Sequence, residues 1–155
     1  MEQLVGFFKT KQWKYGVYEN DRYIEATFNI SEEFSVDFNY IISEYHFRCY
    51  VIINDDFPTD LIPDMFILAS HFNNLFKNGR IVVNPSNQYI IYEIKTDILP
   101  LLLYPDEIEY LIILHYSSAK DVFKSFQRLF RENEPPALII ADLLKEKNES
   151  GDSAE

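Results

Sequence analysis

Residues 45 to 116 run through one strict order of patterns: a strand, an acidic turn holding Pro58, an amphipathic helix reaching Gly79, a two-stranded hairpin, and a helix opened by Pro105. Few architectures accept that order, and it predicts a compact α+β domain. The first of these strands, 45 to 53, turns apolar on both faces toward its end, which places it centrally in a sheet. Met65, Leu68, Ala69, Phe72, Leu75 and Phe76 recur at helical spacing and form one apolar stripe. Pro63 fits the first turn of that helix, where a missing N–H costs nothing. Asn78-Gly79 is expected to end it in the left-handed conformation. Strands 80–83 and 89–95 are joined by Asn84-Pro85-Ser86-Asn87, a turn by composition. Pro105, Asp106 and Glu107 then open the last long helix, with carboxylates at its positive end.

The N-terminal part adds more strands. Residues 2 to 12 read as a helix with Leu4, Val5, Phe7 and Phe8 on its apolar side, and 13 to 18 as a strand. Glu19-Asn20-Asp21 is a polar turn. Ile24, Ala26, Phe28 and Ile30 then alternate with Glu25, Thr27 and Asn29. After Ser31-Glu32-Glu33, the residues Phe34, Val36, Phe38 and Tyr40 alternate with Ser35, Asp37 and Asn39. Such alternation marks half-buried antiparallel strands. The expectation is a single α+β domain over 1–144, an antiparallel sheet with helices packed on one side. Residues 145–155 are polar and aperiodic and read as a disordered tail.

The last helix carries an apolar stripe of Ile108, Leu111, Ile112, Ala119, Val122, Phe123, Phe126, Leu129 and Phe130. Unbroken to Arg131 it would be about 40 Å long, which exceeds the width of a small sheet. Two readings stay open for the excess. The helix bends near Ser117-Ser118 and folds back on its own core, or its far half meets another chain. Under the second reading Phe123, Phe126, Leu129, Phe130, Leu138 and Ile139 are the candidate partner-binding residues, in a homodimer or against a protein client.

Composition narrows the function classes. The 155 residues include 13 Phe and 11 Tyr but four Gly, which favours a well-filled, sheet-rich interior. A net charge of −11 repels phosphate backbones and anionic lipid, so neither nucleic acid nor membrane is an expected partner. Lys9, Lys11 and Lys14 among Phe7, Phe8 and Trp13 read as the wet side of an amphipathic helix. Between Glu19 and Asp64, eleven carboxylates face two arginines, which gives that half a negative surface. The lone Cys49 fits a reducing compartment, and no signal-peptide pattern or run of ~20 apolar residues occurs, so a cytoplasmic location is expected.

Chemistry-bearing patterns are sparse. His46, His71 and His115 lack metal-ligand spacing. Asp55, Asp56, Asp60 and Asp64 lack the alternate spacing and pivotal glycine of a calcium loop, and helix N-terminal electrostatics account for them. Asp106 and Glu109 sit on an exposed helix start. With no nucleophile–base set, phosphate loop or CxxC pair, no enzymatic activity, cofactor or metal is expected. A small-ligand sensor is the alternative to a protein-interaction module, with a pocket between sheet and helices lined by Tyr40, Tyr50, Tyr89 and Tyr92.

The segments Phe72 to Ile81, Asn84 to Ile94 and Pro105 to Ile108 follow an aromatic strand, as a connected pattern. Together they resemble the YbjN family, described as bacterial sensory transduction regulators. That family shows a helix ending in an Asn-rich N-x-x-F/L-x-x-G-x-F phrase, a hairpin with an aromatic second strand and a helix opening near Pro-Glu-Glu-Ile. The resemblance covers roughly residues 1 to 118. It implies the fold of type III secretion chaperones, α-β-β-β-α-β-β-α with helices on one side of a curved antiparallel sheet, often as a homodimer. It brings no catalytic residues. Asp121 matches the family's mid-helix Asp only loosely, and the segment after Lys120 is longer and more apolar than the family pattern.

Overall fold

The structure is a computed structural model that describes residues 2–151 apart from 19, 21, 33, 55, 78 and 105. Its elements run α1 (Glu2–Thr10), β1 (Gly16–Tyr18), β2 (Tyr23–Asn29), β3 (Ser35–Ile42), β4 (His46–Asn54), a 3-10 turn (Thr59–Leu61), α2 (Ile62–Leu75), β5 (Gly79–Asn84), β6 (Tyr89–Asp97), α3 (Ile98–Leu103), α4 (Asp106–Arg131) and α5 (Pro136–Gly151). The strands form one antiparallel sheet in the order β1-β2-β3-β4-β6-β5. This is the α+β fold the sequence predicts, with helices on one side. It adds β1 and the helices α3 and α5 to the eight-element order.

Alternation along each strand decides which face is covered. Ile24 and Ala26 of β2, Phe38 and Tyr40 of β3, Phe47, Cys49, Val51 and Ile53 of β4, and Ile90, Tyr92 and Ile94 of β6 are all buried on one face. Against them pack Leu4 and Phe8 of α1, Met65, Leu68 and Phe72 of α2, and Ile112, Ala119, Val122 and Phe126 of α4. The α1 end of this layer is an aromatic cluster. Trp13 meets Phe7, Phe8 and Phe28 edge-on, with ring centroids 4.9–5.6 Å apart. The lysines near this helix are exposed, and Lys11 pairs with Glu109 of α4 at 2.6 Å.

The helix ends differ from expectation in one instructive way. α2 stops because Phe76 turns extended, with φ −84° and ψ 126°, and not through a left-handed Asn-Gly pair. Asn78 lies outside the described residues, and Gly79 has no positive φ. Gly79 opens β5 instead, where a Cβ would collide with the ring and hydroxyl of Tyr92. The glycine is needed for close approach, not for a turn.

α4 is continuous over 26 residues, about 39 Å, and is not interrupted at Ser117-Ser118. Its surplus length is covered by α5, which turns back at Asn133 (φ 51°) and packs on α2 and α4. α5 continues past Leu144 to Gly151, so the stretch expected as a tail is helical up to that residue. Residues 152–155 lie outside the described residues. Arg128 clamps the return, its Nε and Nη2 donating to Glu134 at 2.6 and 2.7 Å and its Nη2 also to Asp142 at 2.7 Å. Hydrogen bonds from Arg128 hold both carboxyls below their usual range.

β5 is an edge strand, and α2 blunts it. Asn73 Nδ2 donates to the Ile81 carbonyl at 3.0 Å, and the Ile81 N–H donates to Asn73 Oδ1 at 2.6 Å. The side-chain amide thus stands where a further strand would pair. Asn73→Leu is expected to lower stability by about 1–2 kcal/mol, since two backbone groups lose their partner. Chemical denaturation measures that loss, and light scattering on the same variant should show more self-association than the parent.

Candidate functional site

The structure separates the six residues expected at a partner interface. Phe123, Phe126, Leu129 and Ile139 are buried within the single chain, Phe130 is half-buried, and Leu138 alone is well exposed, at 55%. Phe123 meets Phe34 at 5.5 Å and Phe126 meets Phe130 at 5.9 Å. Four of the six therefore belong to the core, because α5 provides intramolecularly the apolar cover that a second chain was expected to supply.

The four tyrosines of the sensor reading do not converge either. Tyr40 and Tyr92 are buried on the helix side, whereas Tyr50 and Tyr89 alternate to the opposite face. The acidic turn is dispersed: Asp60 and Asp64 stand in the first turns of the 3-10 turn and of α2, and Asp55 lies outside the described residues. Among the described residues no group of three or more His, Cys, Asp or Glu is placed to hold a metal ion. No helix among them is long and apolar enough to cross a membrane.

What strand alternation leaves uncovered, among the described residues, is the outer face of the sheet. Its central row runs Glu25, Asn39, Tyr50, Glu93, Arg80 across β2, β3, β4, β6 and β5. Glu93 is 3% exposed although it sits on this open face, because two arginines close over it. Arg48 Nε donates to Oε2 and Arg80 Nε to Oε1, both at 2.5 Å. Burial works to raise the Glu93 carboxyl, but the hydrogen bonds from Arg80 and Arg48 outweigh it and hold the group below the usual range. Arg48 also stacks over the Tyr50 ring at 4.7 Å. On the β2 side the Tyr23 hydroxyl donates to Asn39 Oδ1, with Glu25 Oε2 at 3.2 Å. Burial, then the neighbouring Tyr50 and Glu25, push that phenol up.

Beside this polar row lies an apolar one. Ile52, Ile91 and Val82 are register partners across β4, β6 and β5. Ile52 is 44% exposed and the other two are half-buried. The open face thus combines an aliphatic strip, a tyrosine–arginine stack and a charge triad whose orientation is preset. Arg and Tyr are the residue types that anchor protein interfaces.

Sequence reasoning missed this site because its members come from five strands, and only register brings them together. The one local signal was Glu93, an acid between Tyr92 and Ile94 that directly follows the apolar run Tyr89 to Tyr92.

The remaining titratable groups in the core are inaccessible. Cys49 is fully buried, and burial pushes its thiol up. His115 lies between the sheet and α4, stacked on Tyr92 with centroids 5.1 Å apart and edge-on to Phe38. Its Nε2 is 3.3 Å from the Tyr92 carbonyl, and burial lowers its pKa to about 4. His46 lies at the start of β4, 3.4 Å from Asp97, and His71 is on α2.

No family model, no curated protein and no solved structure matches this chain.

Proposed function

We propose that this chain is a non-enzymatic protein-interaction module, regulatory or chaperone-like in kind and YbjN-like in its pattern of elements, which pairs as a homodimer. The observation that carries this reading is the uncovered outer face of the sheet, with the aliphatic strip Ile52–Ile91–Val82 beside the Arg48–Glu93–Arg80 triad. Such a strip gains by being taken out of water, at roughly 25 cal/mol per Å² of apolar surface. The adjoining triad supplies charged and aromatic groups that need no rearrangement to dock.

The same geometry argues against proton-transfer chemistry on that face. A general acid or base is most effective with its pKa near the working pH, and Glu93 is held ionised between two guanidiniums. His115, the buried imidazole, has no exposed surface where α4 presses it against Tyr92 and Phe38 of the sheet.

Sedimentation equilibrium tests the reading. The parent chain is expected to be a dimer at micromolar concentration, and Ile52→Lys a monomer with an unchanged circular dichroism spectrum, because Ile52 is exposed and fills no core space. A parent chain that is monomeric at every concentration would remove the homodimer.

A further inference from the structure

Charge is unevenly divided over the open sheet face. On its β1–β2–β3 half the outward charged residues are Glu25 and Asp37, with no cation among the described residues of those strands. On the β4–β6–β5 half they are Arg48, Arg80 and Lys95 against Glu93 and Asp97. In a chain of net charge −11, cations that outnumber carboxylates on half of one face are unusual.

Two of these groups have bonding capacity left. Arg80 gives its Nε to Glu93, yet its side chain is 66% exposed, and its terminal N–H groups have no partner among the described residues. Glu25 has the Tyr23 hydroxyl at 3.2 Å and no ion-pair partner among the described residues. Asp37, by contrast, accepts a hydrogen bond from the Thr27 hydroxyl at 2.7 Å. Glu25 and Arg80 also occupy matching places. They belong to one register row, Glu25–Asn39–Tyr50–Glu93–Arg80, and each lies two strands from Tyr50 of β4.

We infer that the homodimer packs this face on its own copy about a two-fold axis along β4, so that Glu25 of each copy pairs with Arg80 of the other. The inference rests on the homodimer reading and specifies its geometry. Turning a sheet about one of its strands reverses the strand order and keeps each row at its height, so β2 lies over β5 of the second copy. Aligned sheets pack about 10 Å apart, a gap that a glutamate and an arginine side chain close between them. Concavity favours the same placement. A depression of about 580 Å³ takes part of its lining from Glu25, Asn39, Tyr50 and Ile52, and continues round the end of the sheet to Phe123. Arg80 of the second copy enters it beside Glu25. Tyr50 and Ile52 come to lie on the axis against their own copies, which sets the aliphatic strip at the centre and the ion pairs toward the rim. Arg48 also lies on the axis, but Glu93 already holds its charge and its guanidinium is laid over Tyr50. Because the contact is isologous, the Glu25–Arg80 pair is made twice.

Glu25→Arg and Arg80→Glu test this geometry, with dimerisation of the full chain followed by analytical ultracentrifugation and native mass spectrometry. Either variant alone sets like charges together at both contacts, and its dimer is expected to weaken about tenfold or more. Mixed in equal amounts the two variants restore both pairs, and the heterodimer should exceed the share that random pairing gives. If circular dichroism shows that Arg80→Glu loses its fold beside Glu93, Arg80→Gln takes its place, with the same preference for the heterodimer in smaller steps. A Glu25→Arg dimer as tight as the parent, or a mixture that pairs at random, would overturn the proposed axis while a dimeric parent kept the homodimer reading. A monomeric parent would remove the reading and the inference together.

Discussion

Replacing Phe126 with Ala should lower the stability of this protein by about 3–5 kcal/mol, the range for truncating a large buried aromatic. Phe126 has no exposed surface in the single chain. It sits in the half of α4 that extends toward the α5 return, tilted against Phe130. Leu138→Ala, one helix on and half-exposed, should cost less than about 1 kcal/mol. Urea unfolding at two protein concentrations gives both numbers. It also distinguishes the two readings that the sequence left open. If α5 covers α4 within one chain, the Phe126 loss is the same at both concentrations. If a second chain covers it, the loss varies with concentration, because dissociation is then coupled to unfolding.

Acid should destabilise the fold well before its carboxylates titrate, and His115 is the reason. Burial lowers its pKa to about 4, against about 6.5 in an unfolded chain. Between those values the unfolded chain binds a proton that the folded chain refuses, so stability rises with pH across this window. The contribution is complete above about pH 6.5 and falls as pH drops toward about 4, by about 3 kcal/mol in all. Glu93, Glu134 and Asp142, whose carboxyls are held low, lose their contributions as pH falls through their depressed folded values, at the acid end of this window and below it. The two effects separate on the pH axis. His115→Phe keeps a ring against Tyr92 and Phe38 and removes the titrating group. Its stability should be nearly flat between about pH 7 and pH 5, where that of the parent falls. A parallel decline in parent and variant would mean that another group carries the dependence.

Local pattern made most of the fold legible. The alternation of Ile24, Ala26, Phe38 and Tyr40 is a direct imprint of one buried sheet face, and all four are buried there. The stripe Met65, Leu68, Ala69, Phe72 is likewise the buried side of α2. Pattern misled where one residue type serves two purposes. Gly79 invited a left-handed helix end, yet the tertiary neighbour Tyr92 is what forbids a side chain there. The apolar run Ile98–Leu103, interrupted by Pro100, became the short helix α3, which no periodicity announced.

The candidate site was harder to see, and for a physical reason. Glu93 meets Arg48 and Arg80 only because β6 lies between β4 and β5, a neighbour relation created by α2 carrying the chain past one strand position. The α5 return was equally hidden. Its clamp joins Arg128 to acids 6 and 14 residues on, spacings that no regular helix brings together. The apolar excess of the last helix was readable, but whether the same chain or another covers it depends on the turn at Asn133.

The most direct test sets two exposed aliphatics against each other. Size exclusion with light scattering would be run on the parent, on Ile52→Lys in the open sheet face and on Leu138→Lys on α5. A dimeric parent, a monomeric Ile52→Lys and a dimeric Leu138→Lys are the results predicted here. A Leu138→Lys monomer beside an Ile52→Lys dimer would move the interaction surface to the helical side and contradict the account.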